Sequence, residues 1–199
     1  MNINQACAII EKARKEAVLV ATMGAMFAFD GLQAAQPRIS SVPMMGGAAS
    51  LGLGLAIGEP SRKVIVVDGD ASLLMQLGGL ATVADRQPKN FVHFVIRNGA
   101  QFTGIANLAT PAEACVDYAG LAAAAGYRRT FKFAEEAAFA IAIEDILADE
   151  GPIFVELVVE TPPAIPGAPM KVEIPDLQFK RMGLEARVLS AWLKEHAHG

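Results

Sequence analysis

Residues 64–72 read VIVVDGDAS. Four apolar, β-branched residues, Val64 to Val67, end at two acidic residues, Asp68 and Asp70, with Gly69 between them; Ala71 and Ser72 follow. A continuous apolar run of this kind suits a strand buried on both faces, as in a parallel sheet covered by helices. Gly69 permits a tight turn and close backbone approach. Ala71 and Ser72 then open a helix. In open parallel sheets ligands bind at the carboxyl ends of strands, where the strand order switches. The stretch therefore predicts both a fold class and the place to look for a site.

Working outward, apolar periodicity alternates between strand and helix. Helices are expected at 3–16, 26–35, 46–58, 72–86, 112–125, 134–149 and 176–197. Strands are expected at 17–22, 38–42, 63–67, 90–96, 127–131 and 152–160. The clearest strands, KVIVV, NFVHFVI and PIFVELVVE, are nearly unbroken apolar runs separated by helix-length segments. This pattern predicts an α/β fold of three layers, α/β/α, around a mostly parallel sheet. Residues 1–160 read as one domain. Residues 161–175 hold most of the late prolines and read as an extended arm, and 176–197 as a terminal amphipathic helix of the same domain.

Composition narrows the function classes. Apolar residues make up 53% of the 199 residues and charged residues 19%, with a net charge of −4. That apolar share predicts interfaces beyond the chain's own core, hence a homo- or hetero-oligomer. No basic cluster interleaves with aromatics, which argues against nucleic acid. A membrane span needs about 18 apolar residues, and the Gly- and Ala-rich stretch 44–57 is too short. The N-terminus, MNINQACAIIEKARKE, lacks the pattern of a signal peptide, and Cys7 and Cys115 show neither metal nor disulfide spacing. A cytoplasmic chain with reduced cysteines is expected.

Two strand ends carry candidate chemistry, VVDGDAS and FVIRNGAQFTG. Taken singly, Asp70 reads as a helix N-cap and Asn98-Gly99 as a turn. Taken together, an Asp carboxylate, an Asn amide oxygen and a nearby backbone carbonyl form a set of hard oxygen donors. Mg²⁺ prefers such donors and completes its shell with phosphate oxygens and water. The helix start at Ala71-Ser72 offers free N–H groups to an anion. The pair of strand ends thus reads as a seat for a Mg²⁺-diphosphate group.

Gly69-Asp70-Ala71, followed after 26 residues by Asn98-Gly99, resembles the cofactor motif of the thiamine diphosphate-dependent enzymes: Gly-Asp-Gly, a spacer and Asn. Met44-Met45-Gly46-Gly47-Ala48-Ala49-Ser50, Glu59-Pro60-Ser61-Arg62-Lys63 and Leu77-Gly78-Gly79-Leu80-Ala81-Thr82 resemble, in order and spacing, the diphosphate-binding domains of the phosphonopyruvate and sulfopyruvate decarboxylases, the latter through their β subunit. The likeness covers roughly residues 15–160. It implies thiamine diphosphate and Mg²⁺ as cofactors. Asp70, Asn98 and the Ala100 carbonyl would hold the metal, and Gly69, Ala71 and Ser72 the diphosphate. Pro43 and its neighbours would hydrogen-bond the aminopyrimidine, and Met45 would hold the cofactor bent. Gln101, Phe102 and Thr103 would face the substrate or lie in a surface loop.

Some positions depart from the pattern. Ala71 replaces the motif's second glycine. Pro43 replaces another glycine. Ala25, Met26, Phe27 and Phe29 stand where relatives place hydroxyl or basic residues, which argues against a phosphonate or sulfonate substrate. No glutamate matches the one that, in this family, activates the cofactor from a separate pyrimidine-binding domain. The resemblance therefore implies no catalytic residue on this chain and a pyrimidine-binding, α-type partner subunit. The expected activity is a lyase that decarboxylates a small 2-oxo acid. An acetolactate synthase-like carboligase subunit and a non-catalytic cofactor-binding subunit are the alternatives. Gly52, Gly54 and Gly58 superficially suggest a dinucleotide loop, but close helix packing accounts for them better. His93 reads as a core histidine. Asp68 either orients the metal loop or meets a nearby base.

Overall fold

The computed structural model describes residues 1–41, 44–165 and 175–197. In chain order the elements are α1 (Ile3–Ala13), β1 (Val18–Ala21), α2 (Met23–Gly31), β2 (Arg38–Ser40), α3 (Ala48–Gly58), β3 (Val64–Gly69), α4 (Asp70–Met75), α5 (Gly79–Arg86), β4 (Phe91–Arg97), β5 (Ala100–Gln101), β6 (Leu108–Ala109), α6 (Tyr118–Ala125), β7 (Arg129–Phe133), α7 (Glu136–Ala148), β8 (Ile153–Val158) and α8 (Pro175–Glu195). Six strands form one sheet in the order β2-β1-β3-β4-β8-β7, every pair parallel. β5 and β6 form a separate two-stranded ribbon.

Side-chain alternation explains the layers. In β3, Ile65 and Val67 join one core with Ile10, Phe29, Phe94 and Phe139, under α1, α2 and α7. Val64 and Val66 join the other with Leu53, Leu80, Phe91, Tyr118 and Phe154, under α3, α5 and α6. Each strand residue thus meets a helix on one side or the other, and an unbroken apolar run is what such a strand requires. The three-layer expectation holds.

Several boundaries differ from the sequence reading. The expected helix at 72–86 is two helices, because Gln76 leaves helical geometry (φ −136°, ψ 48°) and a new helix starts at Gly79. The expected helix at 112–125 begins only at Tyr118. Asp117 caps it by accepting the Gly120 amide at 3.0 Å, and residues 111–115 form turns. The second helix starts at Met23 and ends at Gly31, earlier than expected.

Among the described residues of α8, Leu189 is buried in the second core, with Ala186 and Leu193 packed against it. Leu177, Leu184 and Val188 are exposed. The terminal helix therefore covers its own fold with one stripe and leaves another uncovered. Its hold on the body is also polar. Arg181 donates to Asp30 of α2 at 2.9 Å, Arg38 pairs with the same carboxylate, and the Ser40 amide donates to Glu185 at 2.6 Å.

Gly52 of α3 shows why that helix is built from small residues. A Cβ there would stand 2.2 Å from Cγ2 of Val66, whereas one at Gly54 or Gly58 would meet nothing within 4 Å. Helix-to-sheet packing accounts for Gly52, as expected, but not for Gly54 or Gly58, where the expectation fails because both face open space. Cys7 is buried, Cys115 is exposed, and both are free. No described helix is long and apolar enough to cross a membrane.

Candidate functional site

The strand order reverses at β1, which has β2 on one side and β3 on the other. The carboxyl ends of β3 and β4 lie side by side next to that point, with Gly69 opposite Ile96. The register alone brings Asp70 and Asn98 to one edge of the sheet.

Asp70 is 2% exposed. It is the first residue of α4 rather than its N-cap, which is Gly69. Its carboxylate grips two backbone amides: Oδ1 accepts from Ala71 and Oδ2 from Gly99, both at 2.7 Å. Burial pushes the Asp70 carboxyl above its usual range, while the amides of Gly99, Ala71 and Asn98 and the positive charge of Arg97 pull it back. A cation beside it would favour the ionised form further.

Asn98 is oriented by its own loop. Its Nδ2 donates to the Thr103 hydroxyl at 3.0 Å, and its Oδ1 accepts the Ala100 amide at 3.0 Å. The Thr103 hydroxyl donates to the Ala100 carbonyl at 3.2 Å, and the Thr161 hydroxyl to the Asn98 carbonyl. Gly99 has φ +68°, and a Cβ there would stand 2.9 Å from Glu113 Cγ, so only glycine suits this turn. Asp70 of one strand end thus holds the loop of the other.

The third piece is the 44–47 segment. The Gly46 amide donates to the Ser72 hydroxyl at 2.8 Å, which fastens the Met45 turn onto α4. Gly46 has φ +83°, and a Cβ there would stand 2.6 Å from Gln76 Cβ. Met45 is half-buried and Met44 exposed. Pro43 lies outside the described residues. At Gly69 a Cβ would meet nothing within 4 Å, so the turn borders open space.

The donors fit a hard cation with an anionic ligand. They are one carboxylate, one amide oxygen and one backbone carbonyl, and a single charge leaves a divalent metal attractive to phosphate. Among the described residues no group of three or more His, Cys, Asp or Glu side chains is placed to hold a metal, so a nitrogen- and sulfur-rich centre has no candidate there.

Two expectations about single residues are revised. Thr103 is occupied in holding Asn98 and Ala100, Gln101 is half-buried in the β5–β6 ribbon, and Phe102 is exposed. Ala25, Met26 and Phe29 are buried in the first core, so their apolarity reflects packing, whereas Phe27, the fourth residue of that set, is exposed.

The sequence reading missed the charge network under the loop. Glu156 of β8 is fully buried. It accepts from Arg97 at 2.8 Å and from the Ala119 amide at 3.2 Å, and pairs with Lys132 at 3.1 Å. Arg97 also donates to the Glu113 carbonyl at 2.7 Å and covers the Tyr118 ring at 5.7 Å. The available signal was a lone acid inside the apolar run PIFVELVVE. His93 is a core histidine as expected, with Nδ1 3.3 Å from the Tyr127 hydroxyl. Asp68 has a base beside it, with Oδ2 3.8 Å from His93 Nε2, and its Oδ1 accepts the Gly69 amide at 2.8 Å.

Comparison with known proteins gives the family. Residues 22–157 match the family described as "Thiamine pyrophosphate enzyme, C-terminal TPP binding domain". The chain is 43% identical over 119 residues to a phosphonopyruvate decarboxylase of Streptomyces viridochromogenes, covering 59% of this chain and 29% of that protein. It is 37% identical over 116 residues to the sulfopyruvate decarboxylase β subunit of Methanothermobacter thermautotrophicus, covering 58% of each. Among solved structures, the thiamine diphosphate-dependent 4-hydroxybenzoylformate decarboxylase of Rhodococcus jostii RHA1 superposes with a TM-score of 0.70 at 19% identity, over 81% of this chain and 33% of that one. The match thus spans less than two thirds of either curated relative. With the family model covering more than half of the chain, this protein belongs to the thiamine pyrophosphate enzymes, as a C-terminal TPP binding domain.

Proposed function

We propose that this chain is the thiamine diphosphate- and Mg²⁺-binding subunit of a 2-oxo acid decarboxylase, completed by a separate pyrimidine-binding subunit. The observation that supports the reading is the clasp of Asp70 on the Gly99 amide, which holds the ends of β3 and β4 together beside an open glycine turn. Asp70, Asn98 and the Ala100 carbonyl would hold the metal. The Ala71 and Ser72 segment would receive the diphosphate, and Met45, Pro43 and Gln101 would border the rest of the cofactor. Residues 1–160 would form this half-site and 161–199 its arm and outer helix. The bound cofactor supplies the electron sink for loss of carbon dioxide. This chain binds, orients and shelters it. The names of the matched relatives, a phosphonopyruvate decarboxylase and a β subunit of sulfopyruvate decarboxylase, support the reaction class and the partner. The activating glutamate is assigned to that partner.

The test is reconstitution. The chain alone, and with a candidate pyrimidine-binding subunit, is supplied with Mg²⁺ and thiamine diphosphate and assayed for carbon dioxide release from a panel of 2-oxo acids. Light scattering gives the mass of each species. Activity only in the mixed oligomer is expected. A monomer that decarboxylates unaided would end the split-site reading, and an assembled complex that binds no cofactor would end the site assignment.

A further inference from the structure

β4 and β8 pair in parallel, with Arg97 opposite Val158, so the chain leaves both strands at the same edge of the sheet. From β4 it enters the metal loop, and from β8 the arm. The pairing continues past the strands: the Val159 amide donates to the Arg97 carbonyl at 2.9 Å. Beyond that rung a side chain takes over, and the Thr161 hydroxyl donates to the Asn98 carbonyl. The arm then crosses the turn at 102–107. Asn107 Nδ2 donates to the Pro162 carbonyl at 2.7 Å, and the Ile165 amide to the Gly104 carbonyl at 3.1 Å. Residues 161–165 are all exposed, so hydrogen bonds rather than apolar burial hold them there.

The sequence prepares both partners. Pro162 and Pro163 have a fixed φ and no N–H, and Thr161, standing before a proline, is confined to extended backbone. The segment is extended before it docks, and ordering it costs little conformational entropy. The turn it crosses is also preset. The amides of Ile105, Ala106 and Asn107 converge on the Phe102 carbonyl at 3.0, 3.0 and 3.3 Å. Asn107 has φ +47°, a left-handed position that asparagine accepts better than most residues. Its Oδ1 accepts the Gly104 amide at 2.7 Å while its Nδ2 reaches the arm. Thr103, next to Gly104, is the residue that holds Asn98 and Ala100. The arm is thus bonded at both ends of the segment that carries the Asn98 and Ala100 oxygens.

We propose that residues 161–165 are a strap that sets the Asn98–Ala100 segment, with Thr161 and Asn107 as positioning residues. Thr161 acts directly on the Asn98 carbonyl, and Asn107 acts through the turn and Thr103. The strap is a property of the chain by itself. Its meaning for metal affinity rests on the proposed cofactor site.

The experiment uses the full chain labelled with ¹⁵N. It reads amide exchange at Ala100, whose N–H is held by Asn98 Oδ1, and at Ile165, whose N–H is held by Gly104. Thr161→Val keeps the side-chain shape and removes the donor. A neutral hydrogen bond is worth enough to change local opening about fivefold, so exchange at Ala100 should quicken by about that factor, with Val66 and Val95 unchanged. Thr161→Ser keeps the hydroxyl and should exchange at the native rate. Asn107→Gly keeps the left-handed backbone without the side chain and should quicken both Ile165 and Ala100. Faster exchange at Ile165 with Ala100 unmoved would reduce the strap to a fastening of the arm and overturn the positioning role. Equal loosening of all strand amides, or a serine variant as fast as the valine one, would overturn it as well.

Mn²⁺ serves as the metal probe. Broadening of the Gly99 and Ala100 amides should need about fivefold more Mn²⁺ in Thr161→Val than in the native chain, in line with the same hydrogen-bond energy, and the native amount in Thr161→Ser. An unchanged requirement in Thr161→Val would overturn the positioning role. Absence of broadening in the native chain would instead sink the metal-site reading, with the strap still decided by exchange.

Discussion

Oδ2 of Asp70 accepts the amide of Gly99, 29 residues further along the chain, at 2.7 Å. One buried carboxylate thereby joins the ends of β3 and β4 into a single loop cluster. Because Asp70 also accepts the Ala71 amide, its removal loosens both sides of the site at once.

Asp70→Ala is expected to reduce Mg²⁺-dependent thiamine diphosphate affinity at least a hundredfold in the assembled complex, measured by calorimetry. Two buried amides lose their acceptor, so the variant should also lose roughly 2–3 kcal/mol of stability while keeping its fold. Unchanged affinity would remove Asp70 from the metal site.

Met45→Ala should lower turnover more than it weakens cofactor binding. The diphosphate anchor supplies most of the affinity, while a side chain that shapes the cofactor acts on the reaction barrier. Steady-state rates at saturating cofactor, set against calorimetric affinity, separate the two effects. Equal turnover would make Met45 a packing residue only.

Glu156→Ala should be among the most destabilising single changes in the chain. It strips Arg97 and Lys132 of a fully buried partner and leaves the Ala119 amide without its acceptor. Breaking a buried ion pair from one side typically costs about 3–5 kcal/mol. Urea unfolding of the variant measures it, and a loss under about 1 kcal/mol would show that the network matters little to stability.

Gly52 and Gly54 should respond to alanine with opposite signs. Gly52→Ala drives a methyl into Val66 and should destabilise by roughly 1–3 kcal/mol. Gly54→Ala enters open space on a helix and should stabilise by about 0.5–1 kcal/mol. Thermal melts of the two variants decide it, and a dinucleotide-loop role for these glycines would predict no such contrast.

Asp30 ties α2 to α8 through Arg181, and to β2 through Arg38. Burial works to raise its carboxyl, but the hydrogen bonds from Arg181 and Arg38 prevail and hold it below the ordinary 3.8. A depressed carboxyl contributes stability that is fully present above the unfolded value and is lost as pH falls through the folded one. Asp30→Asn should therefore destabilise slightly at neutral pH, by about 0.5–1 kcal/mol for a partly exposed cluster of one carboxylate and two arginines. The difference between the two chains should vanish in strong acid. A difference that grows with acidity would contradict the assignment.

The sequence by itself determined the layer order and the two strand ends. Unbroken apolar runs such as Val64–Val67 can only be strands covered on both faces, and Asp70 and Asn98 end two of them. The breaks at Gln76 and before Tyr118 were not legible, because a Gly pair or an Asp cap inside an alanine-rich stretch is compatible with several helix starts. The split use of α8 was equally hidden: its apolar residues have helical spacing on either side, and only docking against β2 decides that Leu189 is buried while Leu184 is not. Tertiary structure alone set the partners of the polar residues. Glu156 meets Arg97, Asp68 faces His93, and Ser72 receives Gly46 across separations in sequence that periodicity does not encode. The physical reason is that burial of apolar side chains is written into local pattern, whereas a buried polar group is satisfied by whichever element the sheet register brings to it.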